Sequence, residues 1–235
     1  MIDAASARLL DNPIWSALTT DHAHLALGGD SARRYPEDIG PLSGMPEQSE
    51  AGYEALAALA GPGGAVGLFF REPPRLLQGW TLLRGGPLIQ MVAEKPVILP
   101  CAAPDGVALR RLTPADAAAM VELARLTEPG PFQRRTIELG TFFGIFDGPS
   151  LLAMAGKRLH VPGFVEVSGV CTHPDARGRG YARLLMSCVM DEIAGAGKTP
   201  FLHSFADNHG AIRVYEALGF VLRQSFELAA IRRDA

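Results

Sequence analysis

Apolar and polar side chains alternate between residues 165 and 172. An extended chain there puts Glu166, Ser168, Val170 and Thr172 on one face and Val165, Val167, Gly169 and Cys171 on the other. Pro174 brings no N–H to a ladder, so the strand is expected to stop near His173. From Tyr181 the period lengthens. Ala182, Leu185, Val189 and Ile193 recur at helical spacing with Met186 and Met190 beside them, and Gly195-Ala-Gly197 ends the run. The connection, residues 175–180, is rich in glycine and arginine.

The flanking segments predict further elements. Asn12-Pro13 before Ile14, Trp15 and Leu18 predicts a capped helix, and residues 49–60 predict a second one that stops at Gly61-Pro-Gly-Gly64. Residues 28–45, with loop proportions of Gly, Pro and Ser, read as an ordered loop, with disorder as the alternative. Residues 65–70, 80–83 and 88–93 predict strands, punctuated by Pro73-Pro74 and Gly85-Gly86-Pro87. Residues 96–106 read as a linker. Beyond it come a strand at 109–112, a helix opened by Thr113-Pro114 with Ala117, Met120, Val121 and Ala124 on its buried stripe, a second helix at 132–139, and a hairpin of 141–146 with 151–159. A strand at 200–205 follows the long helix. This division predicts an αβ region over 1–100 and a second domain over 107–235.

Length and charge set mild limits. A chain of 235 residues can bury a sizeable core. A net charge of −3 with no face loaded with cations argues against nucleic-acid binding, and no apolar run reaches membrane-spanning length. Met1-Ile-Asp3 lacks the basic start of a signal peptide, so an intracellular, cytoplasmic protein is expected. Cys101, Cys171 and Cys188 lie in apolar contexts without metal-ligand spacing and read as reduced, buried thiols. His22 and His24 would share a face on a strand and could meet a metal or a substrate carboxylate; on a helix they diverge, and a helix end is the favoured reading.

A strand, a glycine-rich turn and a helix start together form an anion-binding device. The first helical amides lack internal partners, and glycine lets a phosphate approach the backbone. Arg177, Arg179 and Arg183 add cations there, so residues 175–182 offer a diphosphate site, with a solvated turn that happens to precede a helix as the alternative. No Gly-Lys-Ser/Thr follows the glycines and the three-glycine dinucleotide spacing is missing, which excludes those two alternatives.

Arg177-Gly-Arg-Gly180-Tyr-Ala182 resembles the Arg/Gln-x-x-Gly-x-Gly/Ala signature of the GNAT superfamily of acyl-CoA-dependent N-acetyltransferases. Asn208-His-Gly-Ala211-Ile-Arg-Val-Tyr215-Glu-Ala-Leu-Gly219-Phe220 is similar to that superfamily's Asn-x-x-Ala-x-x-x-Tyr-x-x-x-Gly-Phe segment. The resemblance covers residues 107–233 and fits the FR47-like branch best. It implies an α+β fold with a mixed, mostly antiparallel sheet flanked by helices, in which the strands before and after the cofactor helix splay apart. Residues 1–100 then resemble a degenerate half-GNAT that caps the acceptor.

The resemblance also implies chemistry. Acetyl-CoA would be the donor and CoA the product, with a small-molecule or peptide amine as acceptor, on a monomer or homodimer without bound metal. The cofactor would touch Val170, Cys171, Thr172, Arg177, Gly178, Arg179, Gly180, Tyr181, Ala182, Asn208, Ala211 and Tyr215. Amide formation needs a proton removed from the ammonium and a hydrogen bond or proton for the departing thiolate. Glu166, eleven residues before Arg177, stands where GNAT histone acetyltransferases keep a glutamate base, and Tyr215 where the family keeps its general acid. A half-exposed strand glutamate in a salt bridge, a helix N-cap at Asn208 and a buried packing tyrosine are the structural alternatives, and His173, His203 and Asp207 are reserve bases. Placing Cys171 on the face opposite Glu166 disfavours an acyl-cysteine route. The competing function is an acyl-CoA-binding regulatory or scaffold protein with little or no turnover.

Overall fold

The computed structural model describes residues 2–234; Met1, with which the reading of the N-terminus begins, and Ala235 lie outside the described residues. In chain order the elements are α1 (Ala4–Asp11), α2 (Pro13–Thr19), a 3-10 turn (Ala23–Leu25), β1 (Leu27–Gly28), β2 (Arg33–Arg34), β3 (Ser43–Gly44), α3 (Glu50–Ala60), β4 (Ala65–Phe70), β5 (Trp80–Val92) and β6 (Ala108–Arg111). After a 3-10 turn (Pro114–Asp116) come α4 (Ala117–Thr127), another such turn (Thr136–Leu139), β7 (Phe142–Asp147), β8 (Ser150–Val161) and β9 (Phe164–Thr172). A short turn (Pro174–Ala176) leads to α5 (Tyr181–Gly195), β10 (Thr199–Phe205), α6 (His209–Ala217) and β11 (Val221–Arg233).

The large sheet has eight strands in the order β4-β11-β5-β10-β9-β8-β7-β6. Only β9 and β10 run parallel; the other pairs are antiparallel. The long β5 lies between β10 and β11, so strands from both sides of the 96–106 linker build one sheet. Ala153 and Ala155 of β8 pack with Leu185, Val189 and Ile193 of α5, while Met154 between them packs with Met120 and Leu123 of α4. Since alternate strand residues point to opposite faces, α4 and α5 cover opposite faces. Leu10, Ile14 and Leu18 of α1 and α2 close over Phe164 and Phe201, on the face away from α5.

Several expectations need correction. The strands expected at 80–83 and 88–93 are one strand, which pairs with β11 from Trp80↔Arg233 to Val92↔Val221. Gly85-Gly86-Pro87 does not break it: a β-carbon at Gly85 would lie 3.1 Å from the Leu228 carbonyl oxygen, so the glycine permits close approach to β11. The helix expected at 132–139 is only the 3-10 turn at its end, because Pro129-Gly-Pro131 precedes it and the Thr136 hydroxyl takes the Gln133 amide at 2.7 Å. α1 was not foreseen; Asp3 caps it by accepting from the Ala5 and Ser6 amides. Residues 28–45 are ordered around β1–β3, with the Arg34 guanidinium donating to the Tyr35 and Leu59 carbonyls.

The cysteine reading also changes. Cys101 and Cys188 form a disulfide, leaving only Cys171 as a free, buried thiol among the described residues. The bond ties the linker to α5, where the Ser187 hydroxyl also meets the Leu99 backbone. It closes a loop of 87 residues' separation, which restricts the unfolded chain. Reduction, or Cys101→Ser, is expected to lower stability by about 2–4 kcal/mol. Urea unfolding with and without dithiothreitol checks this: the parent's midpoint should fall on reduction and the variant's should not move.

Candidate active site

The cation-bearing turn has the expected geometry. Gly178 and Gly180 take φ of +77° and +78°, and Gly180 is the N-cap of α5 with no side-chain capping bond. Left-handed backbone at both positions turns the chain so that the first α5 amides face outward. The Arg177, Arg179 and Arg183 side chains are exposed, and none makes an ion pair among the described residues. Tyr181 is buried in the core under α5 and Ala182 is half-buried, so the aromatic anchors the turn while the small side chain leaves it open. Uncapped amides, a helix dipole and unpaired cations together suit a diphosphate.

Directly before this turn the sheet splits. β9 and β10 pair at Thr199↔Phe164, Pro200↔Val165 and Phe201↔Glu166, and then stop pairing although β9 continues to Thr172 and β10 to Phe205. Beyond this apex β9 bonds only to β8, and β10 only to β5. The facing backbone edges, including those of Val170, Cys171 and Thr172, are open to an added strand-like ligand. Gly169, at φ +61°, forms a bulge where the β8–β9 register shifts between Met154 and Gly156. The bulge reverses the later faces. Val170 joins the α5 side with Val165 and Val167, and Cys171 packs with the α4 cluster on the Glu166 side. The expectation that Cys171 and Glu166 point to opposite faces is therefore overturned. Burial pushes the Cys171 thiol up to about 11, so it remains an inert packing group.

Glu166 sits at the apex and is fully buried. A register shift places both Arg158 and Leu159 opposite it. Arg158 donates from Nε to Oε2 and from Nη2 to Oε1, each at 2.7 Å, and the Leu159 amide lies 3.4 Å from Oε2. His203 Nδ1 is 2.7 Å from Oε1. Gln90 Nε2 donates to the Leu10 carbonyl at 2.9 Å and to His203 Nε2 at 3.1 Å, while its Oε1 accepts from Arg223 Nη1 at 2.7 Å. That pattern makes His203 Nε2 an acceptor and its Nδ1–H the donor to Glu166. Arg223 also donates to Asp11 and the Ala7 carbonyl, so the network binds α1 to the sheet.

Electrostatics follow from this packing. Burial pushes the Glu166 carboxyl up, but the Arg158 charge and hydrogen bonds, with His203, pull it further down, to about 2. Burial lowers the His203 pKa against the pull of Glu166, in keeping with a neutral ring. A strand glutamate in a salt bridge thus describes Glu166, although the residue is sealed rather than half-exposed.

On α6, the Asn208 side chain caps the helix by accepting the Ala211 amide at 3.3 Å. Tyr215 is half-buried against Phe220, with ring centroids 6.3 Å apart. Burial raises the phenol's pKa. The other reserve groups lie apart: Asp207 is exposed, and His173 accepts the Asp175 amide at the mouth of the turn. His22 is buried with Nδ1 2.8 Å from the Tyr35 hydroxyl and its ring 4.9 Å from that of His160, and burial holds its pKa down to about 3. His22 precedes a 3-10 turn, and no metal-holding cluster occurs among the described residues.

Sequence reasoning missed Arg158, Gln90, Arg223 and Asp11. Their only local signal is a polar side chain in an otherwise apolar strand, as at Gln90 and Arg158.

Comparisons with known proteins agree with this geometry. The family model described as FR47-like protein matches residues 142–228. A GNAT-family protein of known structure from Novosphingobium aromaticivorans is 35% identical with a TM-score of 0.84, over 96% of this chain and 99% of that one. A GCN5-related N-acetyltransferase from Kribbella flavida shares the fold at 18% identity and a TM-score of 0.60, over 95% and 96% of the two chains. Mycothiol acetyltransferase of Mycobacteroides abscessus is 40% identical over 67 residues, which is 28% of this chain and 23% of that protein. Mycothiol acetyltransferase of Streptomyces scabiei is 31% identical over 137 residues, 50% of this chain and 44% of that protein, so the chain spans less than half the length of these curated relatives. No helix among the described residues is long and apolar enough to cross a membrane. Near-complete coverage of the Novosphingobium protein, with the split sheet and the glycine turn, establishes that this chain belongs to the GNAT family of acetyltransferases.

Proposed function

We propose that the chain is an acetyl-CoA-dependent N-acetyltransferase that passes acetyl to a primary amine by direct attack in a ternary complex. The observation that carries this reading is the gap opening at the Glu166–Phe201 pair with a cation-bearing, uncapped helix start at its end. Acetyl-CoA would supply the activated acyl group as a thioester. The amides of residues 178–182 with Arg177 and Arg179 would hold its diphosphate, and the free backbone of Val170 and Thr172 its pantetheine amides. Asn208 and Ala211 would border that arm. The N-terminal region would cap the acceptor side. A cytoplasmic monomer or homodimer without nucleic acid completes the proposal; the Cys101–Cys188 bond would then meet reductants.

Tyr215 is assigned the hydrogen bond, and in part the proton, to the departing sulfur, since burial keeps its hydroxyl protonated. Tyr215→Phe should lower kcat about 100-fold with little change in the KM for acetyl-CoA. Release of CoA thiol under saturating acceptor measures this, and an unchanged kcat would remove the assignment. Glu166 is assigned a positioning role. A carboxylate held near 2 binds a proton too weakly to take one from an ammonium, and both its oxygens are engaged. The pH profile of Glu166→Gln separates the roles: a positioning residue leaves the acidic limb in place, whereas a base takes it away.

The same closure of Glu166 favours a second reading, an acyl-CoA-binding protein with weak turnover. Binding of acetyl-CoA without CoA release across a broad panel of amines would select it.

A further inference from the structure

The path that joins β9, α5 and β10 is repeated in the N-terminal region. β3, α3 and β4 also run strand, helix, strand, and Leu42, the residue before β3, pairs in parallel with Gly67 of β4. No pairing between these strands follows that bridge among the described residues. Where they part, a cavity of about 540 Å³ lies between residues 43–48 and residues 68–72, a size that suits a small ligand. One backbone edge in it is open. The Gly67 amide donates to the Pro41 carbonyl at 2.8 Å, away from β11, so the amide and carbonyl of Phe69, two residues on, point the same way, and Phe69 lines the cavity. Neither has a hydrogen-bond partner across that edge among the described residues.

A CoA diphosphate finds no site at this second gap. At the start of α3 the Ser49 hydroxyl already accepts the Gly52 amide at 3.2 Å, Glu50 stands in the first turn, and residues 45–48 bring neither a glycine nor a cation. The cavity wall carries charges of both signs instead. Glu47 and Glu72 are exposed and make no ion pair among the described residues. Arg71 spends only Nη1, on Asp11 Oδ2 at 3.1 Å, and the Arg75 guanidinium has no partner among the described residues. The Arg75 backbone amide donates to the Gln48 side chain at 2.8 Å, which holds the loop after β4 against the loop after β3. On the other side of this wall the Phe69 ring lies 4.8 Å from the His203 ring, so the cavity borders the Glu166 network.

We infer that this cavity binds a short peptide with free ends. Its backbone pairs with Phe69 as an added strand, its ammonium meets the Glu47 and Glu72 carboxylates, and its carboxylate meets Arg71 and Arg75. A peptide blocked at both ends keeps the backbone pairing and leaves all four charges without a partner. The inference stands on the N-terminal region alone and does not depend on the acetyltransferase reading.

The test titrates the isotope-labelled full chain with trialanine, with N-acetyl-trialanine amide and, separately, with acetyl-CoA, following the backbone amide signals of residues 68–71 and 178–182 by NMR. Trialanine should shift the Phe69 amide saturably and leave residues 178–182 in place. The blocked peptide should bind at least about 10-fold more weakly, the worth of a hydrogen bond to a charged group. Glu47→Gln and Arg75→Gln change exposed side chains; each should weaken trialanine about 10-fold and leave acetyl-CoA binding unchanged. Asp11 is not used as a probe, because Arg223 ties it to the sheet. No saturable shift of Phe69 with trialanine, or equal affinity for the blocked peptide, would overturn the inference. Acetyl-CoA that shifts residues 68–71 in the Gly180→Glu variant would overturn it as well, by placing the cofactor in the second gap. Acetyl-CoA that moves no signal in the parent, while trialanine still shifts Phe69, would overturn the acetyltransferase reading and uphold this one.

Discussion

Glu166→Ala is expected to destabilise the fold by about 3–5 kcal/mol at neutral pH, the cost of leaving one partner of a buried pair alone. The variant strands the Arg158 guanidinium, whose side chain is 13% exposed, and removes the acceptor of the His203 Nδ1–H. His203 in turn holds Gln90, which holds Arg223 and the end of α1, so the loss should spread into the contact between the N-terminal helices and the sheet. The sign of the pH dependence follows from the direction of the shift. Glu166 has a folded pKa of about 2 against an ordinary 4.5, so its contribution is fully present above pH 4.5 and fades as pH falls toward 2. The shift corresponds to about 3 kcal/mol. Urea unfolding of parent and variant at pH 7 and pH 3 checks it: the difference between them should shrink at the lower pH. An equal difference at both would mean that the pair contributes nothing through charge. Should the alanine variant fail to fold, Glu166→Gln keeps the shape and one acceptor, and should show the same trend at smaller size.

The parts of this molecule that were legible in the sequence are those made by contiguous residues. The turn from Arg177 to Ala182 needs its glycines where the backbone turns left-handed, and the helix from Tyr181 carries its stripe within fifteen residues. Asn208 and Tyr215 likewise sit on one short helix, cap and face both readable by spacing. The bulge at Gly169 was less visible, although a lone glycine inside a strand pattern is its usual sign. Missing it sent Cys171 to the wrong face.

The long-range features carried no local signal. Arg158, Glu166, His203, Gln90 and Arg223 come from separate strands, and only the fold brings them to one point. A polar residue in a strand reads as solvent-facing unless its partner is known, so Glu166 looked half-exposed when it is sealed. The insertion of β5 between β10 and β11 depends on pairings such as Gln90↔Gln224 and Phe201↔Val92, which no periodicity within β5 encodes. The disulfide partners lie in a linker and on a helix stripe, 87 residues apart, and each alone looks like a packing thiol.

The other large effect concerns Gly180. Its φ of +78° costs any L-residue about 1 kcal/mol, and a β-carbon there would meet nothing within 4 Å. Gly180→Ala should therefore fold and keep part of the affinity for acetyl-CoA. Gly180→Glu adds a carboxylate at the uncapped start of α5, where a diphosphate would meet it, and like charge there costs binding twice: by repulsion and by occupying the amides. A loss of at least about 100-fold is expected, since each 1.4 kcal/mol is a factor of ten. Circular dichroism should show both variants folded, because the turn is exposed and the helix is buried on its other side.

Isothermal titration of acetyl-CoA into the parent and into Gly180→Glu is the most direct measurement of the central claim. Saturable binding by the parent, retained in part by Gly180→Ala and lost in Gly180→Glu, is the predicted result. A folded parent that takes up no acetyl-CoA, or a Gly180→Glu variant that binds as tightly as the parent, would contradict the cofactor site and the acetyltransferase proposal built on it.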